Sequence, residues 1–470
     1  MNNNIILGAG PAGLATGYRL TKEKENFIII EKEKEVGGLS KSFKFKGCIF
    51  DIGPHLFKTR NKEITALWDI MSSKKYAKND YPAGMLYNKR VYKNMNEMVH
   101  SLPINKLFLA GVSTLLSRVK LGRIKNGADW IKKTRGKKIY SQFYKLREEK
   151  FWGVPIDKIE YDWYEKRFGN PKISSMLRSL KRRLIGKIQK KEFEPSINDT
   201  TYHPLHGAGS MYNSLYKEIK KDKKNKILLN NIPIKLNHNG KRITSLLVKN
   251  LKDGKEKEYP INEIISTIPI MEAIRMLNPL PPKEILNLCD KLKYRDIVLV
   301  NFVAKLKKKM KHSFLNVYSN DVKMFRLTNF ANLSERMGGK DGSIPLCIEY
   351  NCFEGDKFWN MKDEEILEFA KKELEKIKLS SREELKDGFV IRYPKAYPIH
   401  SVGFRKIVNQ LINYLKQFEN FQTIGRNGQF TYNQMRHSVE SGLRAGEKSM
   451  GLIKSSDVLR TTDEGKDVLG

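Results

Sequence analysis

The sequence predicts an α/β fold: a doubly wound, mainly parallel sheet domain, discontinuous along the chain, with a helical and mixed-sheet domain inserted into it. Three observations predict it. Residues 4–31 read as strand, glycine-rich turn, helix, strand and acid. Residues 226–249 read as three short strands with a tight-turn signal, HNG, at 238–240, and a further strand follows in EIISTIP at 263–269. Between these regions, residues 61–195 carry mostly helical spacing.

Composition sets the bounds. The chain has 470 residues, 40% of them apolar, enough for one large or two interleaved domains with a sizeable core, so disorder is excluded as the overall state. Its 88 Lys and Arg against 52 Asp and Glu leave a formal charge of +36. Nucleic acid, an anionic membrane or phosphorylated substrate, and plain lysine richness all compete to explain that excess. Part of it is local: residues 111–191 hold 23 Lys and Arg against 7 Asp and Glu, including Lys181, Arg182, Arg183, Lys187, Lys190 and Lys191. A solvated helix face is the simplest account of that run. Cys48, Cys289, Cys347 and Cys352 form no CxxC and no cluster with zinc-ligand spacing. Neither a disulfide framework nor a metal is therefore expected, and a reducing cytoplasm fits.

The first strand, Asn4–Leu7, begins at once, with no basic or apolar leader ahead of it, so secretion is not expected. It runs into Gly8-Ala9-Gly10-Pro11-Ala12-Gly13 and a helix over LATGYRLTK. Gly8 permits the tight turn, Gly10 lets a pyrophosphate approach the backbone, and Gly13 lets the helix pack closely on the strand. The anion then sits on a helix N-terminus. The second strand, Phe27–Ile30, ends at Glu31, placed to accept from a ribose hydroxyl; an acid there argues against a 2′-phosphate. This is a dinucleotide-binding, Rossmann-like unit. The segment EKEKEVGGLSKS (31–42) then adds a second glycine element, Gly37-Gly38-Leu39-Ser40, and residues 42–57 alternate like a hairpin.

EKEKEVGGLSKS resembles the second glycine-rich element of the flavin amine oxidase and protoporphyrinogen oxidase superfamily. GPHLFKT (53–59) resembles the flavin-facing loop of UDP-galactopyranose mutases and their relatives. Two linked glycine motifs of this kind imply FAD rather than NAD. Further segments resemble the family in the same order along the chain: Glu149–Pro155, Tyr202–Gly209, Ile264–Pro269, Tyr393–Pro398 and Ile424–Ser438. The resemblance implies a glutathione-reductase-type FAD domain made of residues 1–75, 195–275 and 405–455. A substrate domain would take 76–194 and 276–404, leaving 456–470 as a polar tail.

It also implies site residues. Gly53 and His55 fall on the flavin face, a structural histidine satisfied by backbone being the other reading of His55, and Gly425, Arg426, Gln434 and Met435 fall in the C-terminal flavin motif. Arg426, flanked by glycine turns, suits a diphosphate or an anionic reduced flavin, because a guanidinium binds through a planar fork. Tyr397 and Tyr432 resemble substrate or flavin contacts, although core or rim packing is the ordinary reading of a bare tyrosine. Trp152 could stack on a base or sugar, although a packed core aromatic is its ordinary reading. Arg167 could hold a substrate phosphate, although a solvated arginine is its ordinary reading. One departure matters: mutase-like relatives carry an acid two positions after the tyrosine, where this chain has the neutral Gln434, with Arg436 nearby.

No Ser/His/Asp order, paired carboxylates, HExxH or EF-hand pattern supports hydrolase or metal chemistry. The expectation is a FAD-dependent oxidoreductase of the amine oxidase and protoporphyrinogen oxidase-like group, acting on a sugar nucleotide or lipid-linked glycan. The alternative is a non-redox, mutase-like flavoenzyme. A flavin-binding scaffold at an anionic membrane is a third reading. The expected partner is a small-molecule or lipid-linked phosphorylated substrate and not nucleic acid, since no recognition motif accompanies the charge. No apolar run reaches the roughly 20 residues of a spanning helix. LFLAGVSTLL (107–116), followed by the basic SRVKLGRIK, is expected to be a core helix; an interfacial segment, peripheral at the cytoplasmic membrane, is the other reading.

Overall fold

Strand β1 (Asn3–Leu7) is apolar on both faces and lies inside a sheet, in parallel register with β2 (Phe27–Glu31) and with the second half of the long strand Glu256–Ser266. The structure, a computed structural model, describes residues 3–57, 59, 61–79, 83–119, 122–169 and 201–453. The basic run 181–191 and the tail 456–470 lie outside the described residues. Lys226–Leu229 extends the parallel sheet beyond β2, and Phe421–Thr423 extends it beyond Glu256–Ser266. The first half of Glu256–Ser266 instead pairs antiparallel with Ile243–Asn250, which pairs with Asn231–His238, so the expected meander continues the sheet to eight strands.

Helices cover both faces, which makes the domain doubly wound. On one face α1 (Pro11–Lys22) packs with the helices Lys62–Ser72, Ala208–Ile219 and Met435–Ser449 around Ile6, Leu14, Trp68, Tyr212 and Val439. On the other, Ile270–Arg275, Lys283–Lys291 and Phe404–Leu415 pack on Ile5, Leu7 and Ile264. This is the predicted α/β architecture.

A second sheet of seven strands runs in the order Leu385–Pro398, Tyr294–Ala304, Ile344–Cys352, Arg326–Asn329, Phe314–Val317, Ala83–Tyr87, Arg90–Tyr92. It is antiparallel except between Phe314–Val317 and Ala83–Tyr87. Every residue of Tyr294–Ala304 is buried. Helix Asp363–Lys376 covers one face of that sheet, and the hairpin formed by Ser42–Phe45 and Cys48–Asp51 covers the other.

The stretch expected to be mostly helical also supplies Tyr76–Asn79, Ala83–Tyr87 and Arg90–Tyr92. MLYNKRVY is a two-residue hairpin in which Asn88 and Lys89 take φ of 48° and 61°, too short for alternation to register as a strand signal. Its helices Gly127–Arg135, Lys145–Trp152 and Tyr161–Phe168 enclose an aromatic core of Trp130, Phe151, Trp152, Trp163 and Tyr164. The core expectation for 107–116 is corrected. The helix there, Ile104–Val119, buries Ala110 and Thr114 and leaves Phe108, Leu109, Leu115 and Leu116 exposed. Among the described residues no helix is long and apolar enough to cross a membrane.

Candidate active site

The parallel strands of the first sheet deliver their C-terminal ends to one edge: Leu7 into Gly8, Glu31, Ser266 into Thr267, and Thr423 into Gly425. Gly8, at φ 96°, donates its N–H to the Ile30 carbonyl at 2.8 Å. A Cβ on Gly13 would lie 1.9 Å from the Gly8 carbonyl oxygen, so only glycine allows α1 this close. That helix starts at Pro11 with no side-chain cap and no acid in its first turn, which leaves first-turn N–H groups for an anion. The second glycine pair closes over it. Gly37 donates to the Ala9 carbonyl at 2.8 Å, and a Cβ on Gly38 would approach the Gly10 Cα to 3.3 Å. Two glycine elements thus meet backbone to backbone around an uncapped helix start, a cradle that side chains would fill and that fits a pyrophosphate.

Glu31 sits beneath this cradle, 6% exposed. Its Oε2 accepts from the Ala9 N–H at 2.6 Å and its Oε1 from the Glu33 N–H at 2.9 Å, so it braces the turn and retains lone pairs for a ribose. Burial raises its pKa against the pull of those two N–H groups. The C-terminal motif closes the same edge. A Cβ on Gly425 would come 3.1 Å from the Ala12 Cβ, and one on Gly442 would come 2.2 Å from the Ala12 carbonyl oxygen. Helix Met435–Ser449, capped by Gln434, therefore runs along α1, with its start about 10 Å beyond the glycine turn, toward the second sheet.

The loop Gly53–His55 links the cradle to that second sheet. His55 Nε2 bonds the Leu39 carbonyl at 3.0 Å, and burial lowers its pKa to about 4, so the ring is neutral at physiological pH. A Cβ on Gly53 would meet Glu349 Oε1 at 3.3 Å. Glu349 is fully buried; burial raises its pKa, opposed by the Arg326 guanidinium, whose Nε is 3.1 Å away.

Arginines gather here around a pair of tyrosines. Tyr397 and Tyr432 stack at 5.4 Å, and Arg426 lies 5.9 and 5.0 Å from their rings. Both Arg426 amino groups are anchored, Nη1 to the Ala396 carbonyl at 3.2 Å and Nη2 to that of Asn433 at 2.6 Å. Arg326 interacts electrostatically with both tyrosines and with Arg147, which is buried in an ion pair with Glu148. Trp163 meets Tyr432 edge-on at 4.4 Å, and Arg167 packs 5.3 Å from the Trp163 ring with its Nε buried and unpartnered. Burial and the nearby Arg147 lower the Arg167 pKa. Four guanidiniums (Arg147, Arg167, Arg326, Arg426) face two carboxylates (Glu148, Glu349), an excess of two positive charges.

Residues 6–71 match the model of the NAD(P)-binding Rossmann-like domain. The structure superposes on reduced UDP-galactopyranose mutase with a TM-score of 0.83, covering 97% of each chain at 20% sequence identity. The fold is that of UDP-galactopyranose mutase. The mutase fold also matches a protein assigned as protoporphyrinogen oxidase from Exiguobacterium sp. 255-15, with a TM-score of 0.72 over 95% of this chain and 98% of that one, at 14% identity. In sequence, 129 residues are 28% identical to protoporphyrinogen oxidase 2 of Arabidopsis thaliana, spanning 27% of this chain and 24% of that protein. Another 112-residue alignment is 31% identical to a Klebsiella pneumoniae protein assigned as UDP-galactopyranose mutase, spanning 22% and 26%. The aligned segments cover about a quarter of those relatives' lengths. Within that fold, the matched segment, residues 6–71, is the Rossmann-like, nucleotide-binding unit of the first sheet.

The mutase fold brings together every glycine of the two N-terminal motifs with Glu31, Leu39, Ser40, His55, Arg426, Gln434 and Met435 at one edge. Trp152 lies behind Trp163, edge-on at 5.2 Å and fully buried. Arg167 departs from the solvated reading, because its guanidinium packs against Trp163. Sequence reasoning missed Arg326, Glu349, Trp163 and Arg147. A signal existed for two of them. Glu349 is the lone acid in the apolar strand LCIEYNC, and Arg326 follows the apolar Met324-Phe325; a charge inside a buried strand needs a partner or a ligand.

Proposed function

We propose that this chain is a FAD-dependent enzyme whose substrate carries a phosphate or diphosphate on a sugar, as a sugar nucleotide or lipid-linked glycan. The single observation carrying this reading is the excess of guanidinium over carboxylate around the Tyr397–Tyr432 pair, with Arg147 buried and Arg167, Arg326 and Arg426 part-buried. Cations in excess that are partly withdrawn from water are costly unless an anion joins them, and a phosphate accepts from arginine forks in the geometry they offer. A cationic amine would be repelled by the same groups. The glycine cradle and Glu31 would hold the FAD pyrophosphate and ribose, and Gly53–His55 and Gln434–Met435 would flank its ring. When bound, the flavin supplies the nucleophilic or electron-transfer chemistry.

The chain's own part is electrostatic. Arg326 and Arg426 would neutralise the diphosphate and so lower the barrier to its departure from the sugar. The stacked tyrosines and Trp163 would hold the sugar or base and exclude water. Departure of a diphosphate favours non-redox interconversion of sugar ring forms, as the likeness to UDP-galactopyranose mutase also suggests. Net oxidation is the second reading, favoured by Gln434 standing where mutase-like relatives carry an acid.

Anaerobic incubation of the FAD-loaded protein with UDP-sugars tests both. Ring-form exchange only with prereduced flavin and no net redox change supports the first; substrate-driven bleaching of oxidised flavin supports the second. A colourless protein that takes up no FAD on reconstitution overturns both.

A further inference from the structure

Helix Ile104–Val119 is packed inside out. Its buried residues are small or polar, Ala110 and Thr114, with Leu107 part-buried beside them, and Thr114 Oγ1 donates to the Arg135 carbonyl at 2.7 Å. Six large apolar side chains point outward. Ile104 is 82% and Phe108 70% exposed, with Leu109, Val112, Leu115 and Leu116 continuing the same stripe. At about 100° per residue these six span an arc of roughly 140°. A helix that served only its own domain would turn such a stripe to the core, and a contiguous apolar face of this kind marks an interaction site.

The surroundings say what covers it. Residues 101–138 hold ten Lys and Arg and a single acid, Asp129. Lys106, Arg123, Lys125, Lys137 and Lys138 are exposed. The Lys138 N–H donates to Ser113 Oγ at 3.3 Å, so the Lys137–Lys138 pair flanks the middle of the helix. A second copy of this chain meeting the face about a two-fold axis would oppose cation with cation. An anionic lipid surface satisfies both features at once, because it accepts apolar side chains at the headgroup boundary and attracts lysines to its phosphates.

We infer that Ile104–Val119 docks the protein on an anionic membrane surface, with Phe108, Leu115 and Leu116 seated at the acyl boundary. Docking itself does not rest on the proposed reaction. It does bear on access to the site. Arg135, which accepts from Thr114, donates through Nη2 to the Phe168 carbonyl at 3.0 Å, next to Arg167. The arginine cluster therefore lies one helix layer from the lipid.

Flotation of the full-length protein with phosphatidylcholine vesicles containing or lacking phosphatidylglycerol tests this. Binding is expected only to the anionic vesicles and is expected to weaken several-fold at high salt. F108E/L116E should lower the partition coefficient by about tenfold or more, since two apolar side chains no longer bury. Its thermal unfolding should be unchanged, because both positions are exposed. K137E/K138E should remove much of the salt-sensitive part. Three results would overturn the inference: no flotation of the unaltered protein with anionic vesicles, equal flotation of F108E/L116E, or a solution dimer that F108E/L116E converts to monomer without altering flotation.

Discussion

At the scale of single residues, the site depends on how its side chains are held. Arg426 spends donors on the Ala396 and Asn433 carbonyls and keeps the rest of its fork for a ligand; a lysine would keep the charge and lose that fixed geometry. Arg426→Lys should lower kcat/KM about ten- to hundredfold, as expected for losing a hydrogen bond to a charged group of about 1.5–3 kcal/mol, with bound FAD unchanged by absorbance. His400 works through Tyr432: its Nε2 accepts the Tyr432 N–H at 3.2 Å and its ring stacks on Phe404 at 4.2 Å. Burial lowers its pKa to about 3, and that of His55 to about 4, both from 6.5. The folded pKa values lie below the unfolded ones, so the unfolded chain takes up protons first as pH falls. Stability is fully present above about pH 6.5 and drains away down to the folded pKa values. Melting temperature measured from pH 7 to pH 4.5 should therefore fall, and His400→Gln, which can accept but not titrate, should show a shallower decline.

At the scale of elements, close backbone approach decides what holds. Gly13→Ala drives a Cβ into the Gly8 carbonyl and Gly442→Ala drives one into the Ala12 carbonyl, contacts that no side-chain rotation relieves. Each should cost about 1–3 kcal/mol and yield protein purified with little flavin. Gly17→Ala, whose Cβ would meet the Ile29 and Phe27 side chains at 3.1 Å, should retain most of it; a normal flavin complement in Gly442→Ala would show that α1 and the last helix can separate without loss. The glycine turn was legible because its chemistry is local: Gly8, Gly10 and Gly13 act within one loop. Gly442 was not, since its partner lies across the fold. Arg326 and Glu349 stood out as charges beside apolar residues, but their pairing was hidden for the same reason, each on its own strand until the second sheet forms. The Ile104–Val119 stripe was legible as a helix and misread in direction, because a 3.6-residue period is the same whether the stripe faces a core or a bilayer.

At the scale of the whole molecule, 88 basic against 52 acidic residues leave a chain that repels itself. Raising NaCl from about 10 to about 100 mM shortens the screening length from about 30 to about 10 Å, so the melting temperature should rise by a few degrees. A fall would mean that attractive ion pairs outweigh the repulsion. One contact across the first domain, from Thr16 Oγ1 to the Gly442 carbonyl, joins residues 426 apart in the chain. At roughly 5–20 residues per second on the ribosome, about 20 to 90 s separate the making of the glycine turn from the arrival of the helix that seals it. Throughout that interval the nascent polypeptide displays the open flank of α1 to whatever chaperones attend it. Loading of the nucleotide is then a finishing event in the life of a new molecule rather than the seed around which it folds.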